Sequence, residues 1–136
     1  MLDPDLEQRA HFYWSQIHSP DQLRARQINK NIAKKATEAQ GDEILLLPHI
    51  VAVAYFLGYG EKNSLSLRDF YTRNCRDGIV KLFSDEDKID CKKYGQKTYQ
   101  GLGVRRKDVE RLFEEMSQKA QLNYSPQRFT EALKLL

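Results

Sequence analysis

Two cysteines, Cys75 and Cys91, are too few and too isolated for a disulfide framework or a four-ligand zinc site. Seven glycines and four prolines speak against a loop-rich scaffold and exclude a collagen-like chain. No apolar run reaches the roughly 20 residues that a membrane span needs. The longest, from Ile44 to Leu57, is interrupted by Pro48 and His49. The opening Met1-Leu2-Asp3-Pro4-Asp5 has no basic start and no apolar stretch behind it, so no secretory signal is read. A cytoplasmic location with reduced thiols is the expectation. What is present is enough to build a core. Hydrophobic residues make up 40% of the 136, and 6 Phe, 7 Tyr and 1 Trp exclude a disordered tail. A chain of this length reads as one domain, residues 1–136.

Helix starts recur along the chain. Asp3-Pro4, Ser19-Pro20 and Ser125-Pro126 each place a capping oxygen before a proline at the first helical position, where the missing N–H costs nothing. Gln22 completes a capping box with Ser19, and Ser66 with Asp69 and Ser84 with Asp87 are weaker versions. Periodicity agrees. Ala25, Ile28, Ile32, Ala36 and Ala39 recur at steps of three and four, a narrow face of small residues against which another helix is expected to pack along its length. Val109, Leu112, Phe113, Met116 and Ala120 repeat the pattern near the other end. The run Ile44 to Leu57 is apolar nearly all round and reads as a central buried helix, kinked or started by Pro48. A buried strand at Ile44 to Leu47 is the less favoured reading of its start. Asp77-Gly78 is expected to break the segment 67–83 into two short helices, and the glycines of 94–103 to make a long loop or hinge. The expected fold is all-α, a compact bundle of about five to seven helices.

Charge is segregated although the net charge is only +3. Between Asp21 and Glu38 there is no acid, yet the stretch carries Arg24, Arg26, Lys30, Lys34 and Lys35. Arg26, Lys30 and Lys34 form an i, i+4, i+8 row, flanked by Gln27 and Asn31, on the side away from the apolar face. Unrelieved like charges at this spacing cost a few tenths of a kcal/mol per pair, which a polyanion would offset. A plain solvated face is the competing explanation. A second basic concentration, from Lys88 to Lys107, holds Lys92, Lys93, Lys97, Arg105 and Arg106 with Tyr94 and Tyr99 interleaved, the mixture suited to phosphates and unpaired bases. The tyrosines equally suit inward packing.

Other groups point nowhere specific. Asp85, Glu86, Asp87 and Asp90 lack the spacing of a calcium loop, His11 and His18 lack a third ligand, and neither cysteine has a histidine beside it. No metal, no cofactor and no catalytic role are expected. Phe12, Tyr13 and Trp14 are consecutive, and three such rings are not expected to face one core, so Tyr13 or Trp14 is a candidate protein interface. Arg68, Arg73, Asn74 and Arg76 could serve a recognition helix, although no clear turn precedes them except 58–63.

The overall length, the helix content and the basic rows Arg24, Arg26, Lys30, Lys34, Lys35 and Lys92, Lys93, Lys97 resemble the small helical subunit of CRISPR effector complexes. The resemblance implies a non-enzymatic subunit of a ribonucleoprotein, present in more than one copy, that contacts other subunits and holds target or displaced strand, or guide RNA, through phosphates. The alternatives are a helical protein-interaction module whose basic row meets an acidic partner, and a small DNA-binding regulator.

Overall fold

The computed structural model describes residues 3–15, 20–58, 67–84, 88–95, 101–119 and 122–136. Helix α1 (Pro4–Ser15) begins where Asp3 accepts a hydrogen bond from the Asp5 N–H at 2.9 Å. Helix α2 (Pro20–Gln40) ends at Gly41, whose φ of 78° is the left-handed conformation that glycine adopts without strain. Strand β1 (Ile44–Leu46) leads directly into α3 (Leu47–Leu57), with Pro48 in the first turn. Pro48 thus starts the central helix, and the three residues before it are the strand that the run's apolar character concealed.

Helix α4 (Leu67–Phe70), a π-helical turn (Tyr71–Cys75) and α5 (Arg76–Ser84) follow without interruption. The expected break at Asp77-Gly78 is absent. Gly78 stays helical, and Leu112, from further along the chain, packs over it: a Cβ there would lie 2.8 Å from Leu112 Cδ1. Strand β2 (Ile89–Asp90), a 3-10 turn (Lys92–Tyr94), strand β3 (Leu102–Arg105), α6 (Arg106–Gln118) and α7 (Pro126–Lys134) complete the chain. The Ser84 hydroxyl donates back to the Val80 carbonyl, and Asp87, its expected capping partner, lies outside the described residues. Ser125 does cap α7, accepting from the Arg128 N–H at 3.2 Å.

The fold is mostly helical, with seven α-helices and one small sheet among the described residues. The sheet is antiparallel in the order β1-β3-β2, pairing Leu46 with Gly103 and Ile89 with Gly103. Gly101 and Gly103 therefore belong to the sheet and its edge, not to a hinge: the Cys91 N–H bonds the Gly101 carbonyl at 3.2 Å. The sheet divides the interior. Ile44 and Leu46 face α2, joining Ile32, Ala36, Ile89 and Cys91. Leu45 and Val104 face the larger cluster, built on α3 with α1, α5, α6 and α7 around it.

This arrangement corrects the expected packing of α2. Its apolar stripe meets a three-stranded sheet, about 15 Å wide at ~4.8 Å per strand, whereas a helix of 21 residues runs about 30 Å. Ile32 and Ala36 are buried, and Ala25 and Ala39 at the ends of the stripe are exposed.

Candidate nucleic-acid interface

Helix α2 carries most of the candidate cations, and the fold treats them differently. Lys30, Lys34 and Lys35 are exposed and form no ion pair among the described residues. Arg24 is also exposed, with Asp21 no closer than 3.9 Å. Arg26 is occupied. Its guanidinium lies 3.7 Å from the centre of the Trp14 ring, and Nη2 donates to Leu136 O at 3.3 Å. It locks the ends of α1 and α7 to α2, so the lysines, not the whole i, i+4, i+8 row, are free for an anion.

Lys92 and Lys93 project from the 3-10 turn, both exposed. That turn packs against α2, where Gln40 Nε2 donates to Tyr94 Oη at 3.2 Å and the Tyr94 ring joins the small cluster under the sheet. The Lys93 ammonium sits 5.2 Å from the centre of that ring. Two basic segments more than fifty residues apart in sequence are thereby neighbours in space. Tyr94 is half-buried, so its ring is packing material. Lys97 and Tyr99 lie outside the described residues.

Arg105 and Arg106 are not free cations. Arg105 Nε lies 3.3 Å from Asp42 Oδ2. Arg106 bonds Glu43 at 2.8 Å, Glu110 at 2.9 Å and Thr130 Oγ1 at 2.7 Å, and it covers the Phe129 ring. Burial works against its charge, but the hydrogen bonds and charges of Glu43 and Glu110 outweigh burial and hold its pKa above the ordinary value. These arginines sit where β3 turns into α6, and the acids that claim them come from the α2–β1 connection and from α6. That proximity is tertiary, so a count of acids along the sequence misses it.

The aromatic triplet of α1 is also drawn inward. Tyr13 is only 9% exposed and meets Phe56 edge-on at 5.4 Å, while Phe12 stacks on Tyr55 and Trp14 meets Phe56 edge-on. Burial pushes the Tyr13 hydroxyl pKa up, against the opposing pull of Arg26. Tyr13 is buried because α3 offers two rings to α1, whereas Phe12 and Trp14 stay half-buried, with Arg26 over the Trp14 ring. Neither Tyr13 nor Trp14 is presented as an open aromatic surface.

Arg68, Arg73 and Arg76 are exposed along the α4–α5 segment. Residues 59–66, which would hold the turn of a helix-turn-helix, and Lys97 are outside the described part, as are Asp85, Glu86, Asp87 and His18. Among the described residues no three His, Cys, Asp or Glu side chains gather into a metal-sized cluster. Both cysteines are buried, and burial pushes the Cys75 thiol up to about 12.

One residue was missed as a site by sequence reasoning. His49, in the first turn of α3, is 7% exposed, and its Nε2 has no hydrogen-bond partner. Burial, with Lys30 and then Arg26 adding to it, lowers its pKa to about 4. It lines a groove between α2 and the end of α7, whose rim carries Lys30, Lys34 and Lys134. Only its place in an apolar run was visible beforehand. No protein-family model, no curated protein and no solved structure matches this chain.

Proposed function

We infer that this chain is a non-catalytic subunit that holds a nucleic-acid backbone, a role similar to that of the small subunit of CRISPR effector complexes. The observation that carries the reading is the set Lys30, Lys34 and Lys35, exposed on about one and a half turns of α2 and without an ion pair among the described residues, beside Lys92 and Lys93. Elsewhere the chain spends carboxylates on its cations: Asp42, Glu43, Glu110, Asp3 and Asp5 all meet arginines. The lysines of α2 are left to outside anions. Ammonium groups on flexible stems suit phosphates as point charges, so they hold a strand without reading bases.

Fluorescence anisotropy with labelled oligonucleotides of unrelated sequence tests this. Binding to all of them, with log K falling linearly in log salt, is expected. At roughly 0.7 per phosphate on a single strand, replacing Lys30, Lys34 and Lys35 with Ala lowers the slope by about 2. An unchanged slope removes α2 as the contact face. Binding of polyglutamate as tight as that of the oligonucleotides, at equal salt, would favour an acidic protein partner.

A further inference from the structure

The groove between α2 and the end of α7 sets beside Lys30 and Lys34 a buried histidine and an apolar wall, which backbone binding does not use. It is an open groove of about 560 Å³, inside the roughly 300–1,000 Å³ typical of small-ligand sites. Ile44, Leu45 and Leu133 make it apolar, and Lys30, Lys34 and Lys134 line it with ammoniums. Within this lining lies His49, more than nine-tenths buried, with Nε2 unsatisfied. An orphaned buried polar atom is destabilising, and a leucine or phenylalanine would fill the same volume without that cost. A ligand atom that pairs with the ring nitrogen removes the penalty.

The charges around the groove define the ligand. Glu43 is engaged by Arg106, and Glu38 is the other acid of the lining. With Glu43 paired, three ammoniums face one remaining carboxylate and favour an anion, and the apolar residues beside them favour one with an apolar body over a phosphate ester. We propose that the groove is a binding site for a small organic monoanion, a carboxylate with an apolar body. The carboxylate accepts from the His49 Nε2–H and the lysine ammoniums, and the body lies on Ile44, Leu45 and Leu133. The site does not depend on the chain's binding a nucleic acid.

Titration of the isotope-labelled full chain with octanoate, acetate and octanol, followed by amide and imidazole resonances, tests the site. Octanoate should move Ala33, Ile44, Leu45 and His49 saturably, whereas acetate, lacking the body, and octanol, lacking the charge, bind at least about tenfold more weakly. His49→Phe keeps the packing and loses the hydrogen bond, and should weaken octanoate about tenfold, equivalent to about 1.4 kcal/mol. Ala33→Met, which fills the groove from a helix position that tolerates Met, should do the same if the His49 variant does not fold. Lys134→Glu should weaken binding, and the exposed Lys119→Glu should not. Octanoate shifts that acetate reproduces, or that survive both Ala33→Met and Lys134→Glu, would overturn the proposal. Loss of oligonucleotide binding with octanoate binding retained would instead count against the backbone-holding role alone.

Discussion

Arg106 offers the sharpest division between a cation that binds ligands and one that holds the fold. Arg106→Ala deletes two ion-pair hydrogen bonds, one bond to Thr130 and a cation–π contact 5.1 Å from the centre of the Phe129 ring. Glu43 and Glu110 are 43% and 33% exposed, so solvent screens each pair and about 0.5–1 kcal/mol apiece is the appropriate scale. The Thr130 bond adds about 1 kcal/mol, and the ring contact about 0.5–1 kcal/mol. Because the four share one guanidinium they do not add fully, and the expected loss is about 2–3 kcal/mol. For a chain of this size that lowers Tm by about 10 °C. Arg106→Lys keeps the charge but not the planar fork, and should recover less than half. Urea denaturation gives the stability, and anisotropy on the same samples gives the salt slope. If Arg106→Ala left the stability within about 0.5 kcal/mol of the parent yet flattened the salt slope, Arg106 would belong to the ligand face and the assignment made from its contacts would be wrong.

Two glycines should respond oppositely to alanine. At Gly103 a Cβ would lie 2.6 Å from Ile44 Cγ2 and 2.8 Å from Cys91 Sγ, atoms next to their backbones, so Gly103→Ala should cost about 1–3 kcal/mol in urea denaturation. At Gly78 the obstacle is the tip of Leu112, which can turn aside, and alanine gains about 1 kcal/mol of helix propensity; Gly78→Ala should be neutral or mildly stabilising in the same assay. His49 has a folded pKa near 4, below its unfolded value of about 6.5, so the unfolded chain binds the extra proton first. Its contribution is intact above pH 6.5 and is lost as pH falls towards 4, by as much as about 3 kcal/mol. The difference in stability between the parent and His49→Phe, measured from pH 7 to pH 4, isolates it. Cys75 and Cys91, both buried with raised thiol pKa values, should resist a thiol reagent in the native protein at pH 8 and react once it is unfolded. Rapid native modification would contradict their burial.

Local signals in the chain were sufficient for much of the fold. Asp3-Pro4 and Ser125-Pro126 start helices where written, because a cap and a proline act on the next turn without needing distant partners. The α6 stripe lies inward at Val109, Phe113 and Met116 for the same reason: periodicity alone decides which face is apolar. The strand at Ile44–Leu46 was hidden because both its faces are buried, so it lacks the alternation that marks a half-exposed strand and reads like the helix it precedes. Gly78 lies within α5, and Gly101 and Gly103 lie beside and in the sheet, because the partners that pack on or pair with each come from another part of the chain, while residues 96–100 of the expected loop are outside the described part.

Among the candidate cations, the sequence by itself determined that α2 has a basic side without acids. It could not determine which of those cations remain available. Trp14 claims Arg26, Asp42 claims Arg105, and Glu43 with Glu110 claims Arg106. Those pairings, and the burial of His49 beside Lys30, exist only once α1, the sheet and α7 close on α2. Charge along a chain is fixed by composition, whereas its neutralisation depends on distances of a few ångströms between segments that only tertiary packing sets.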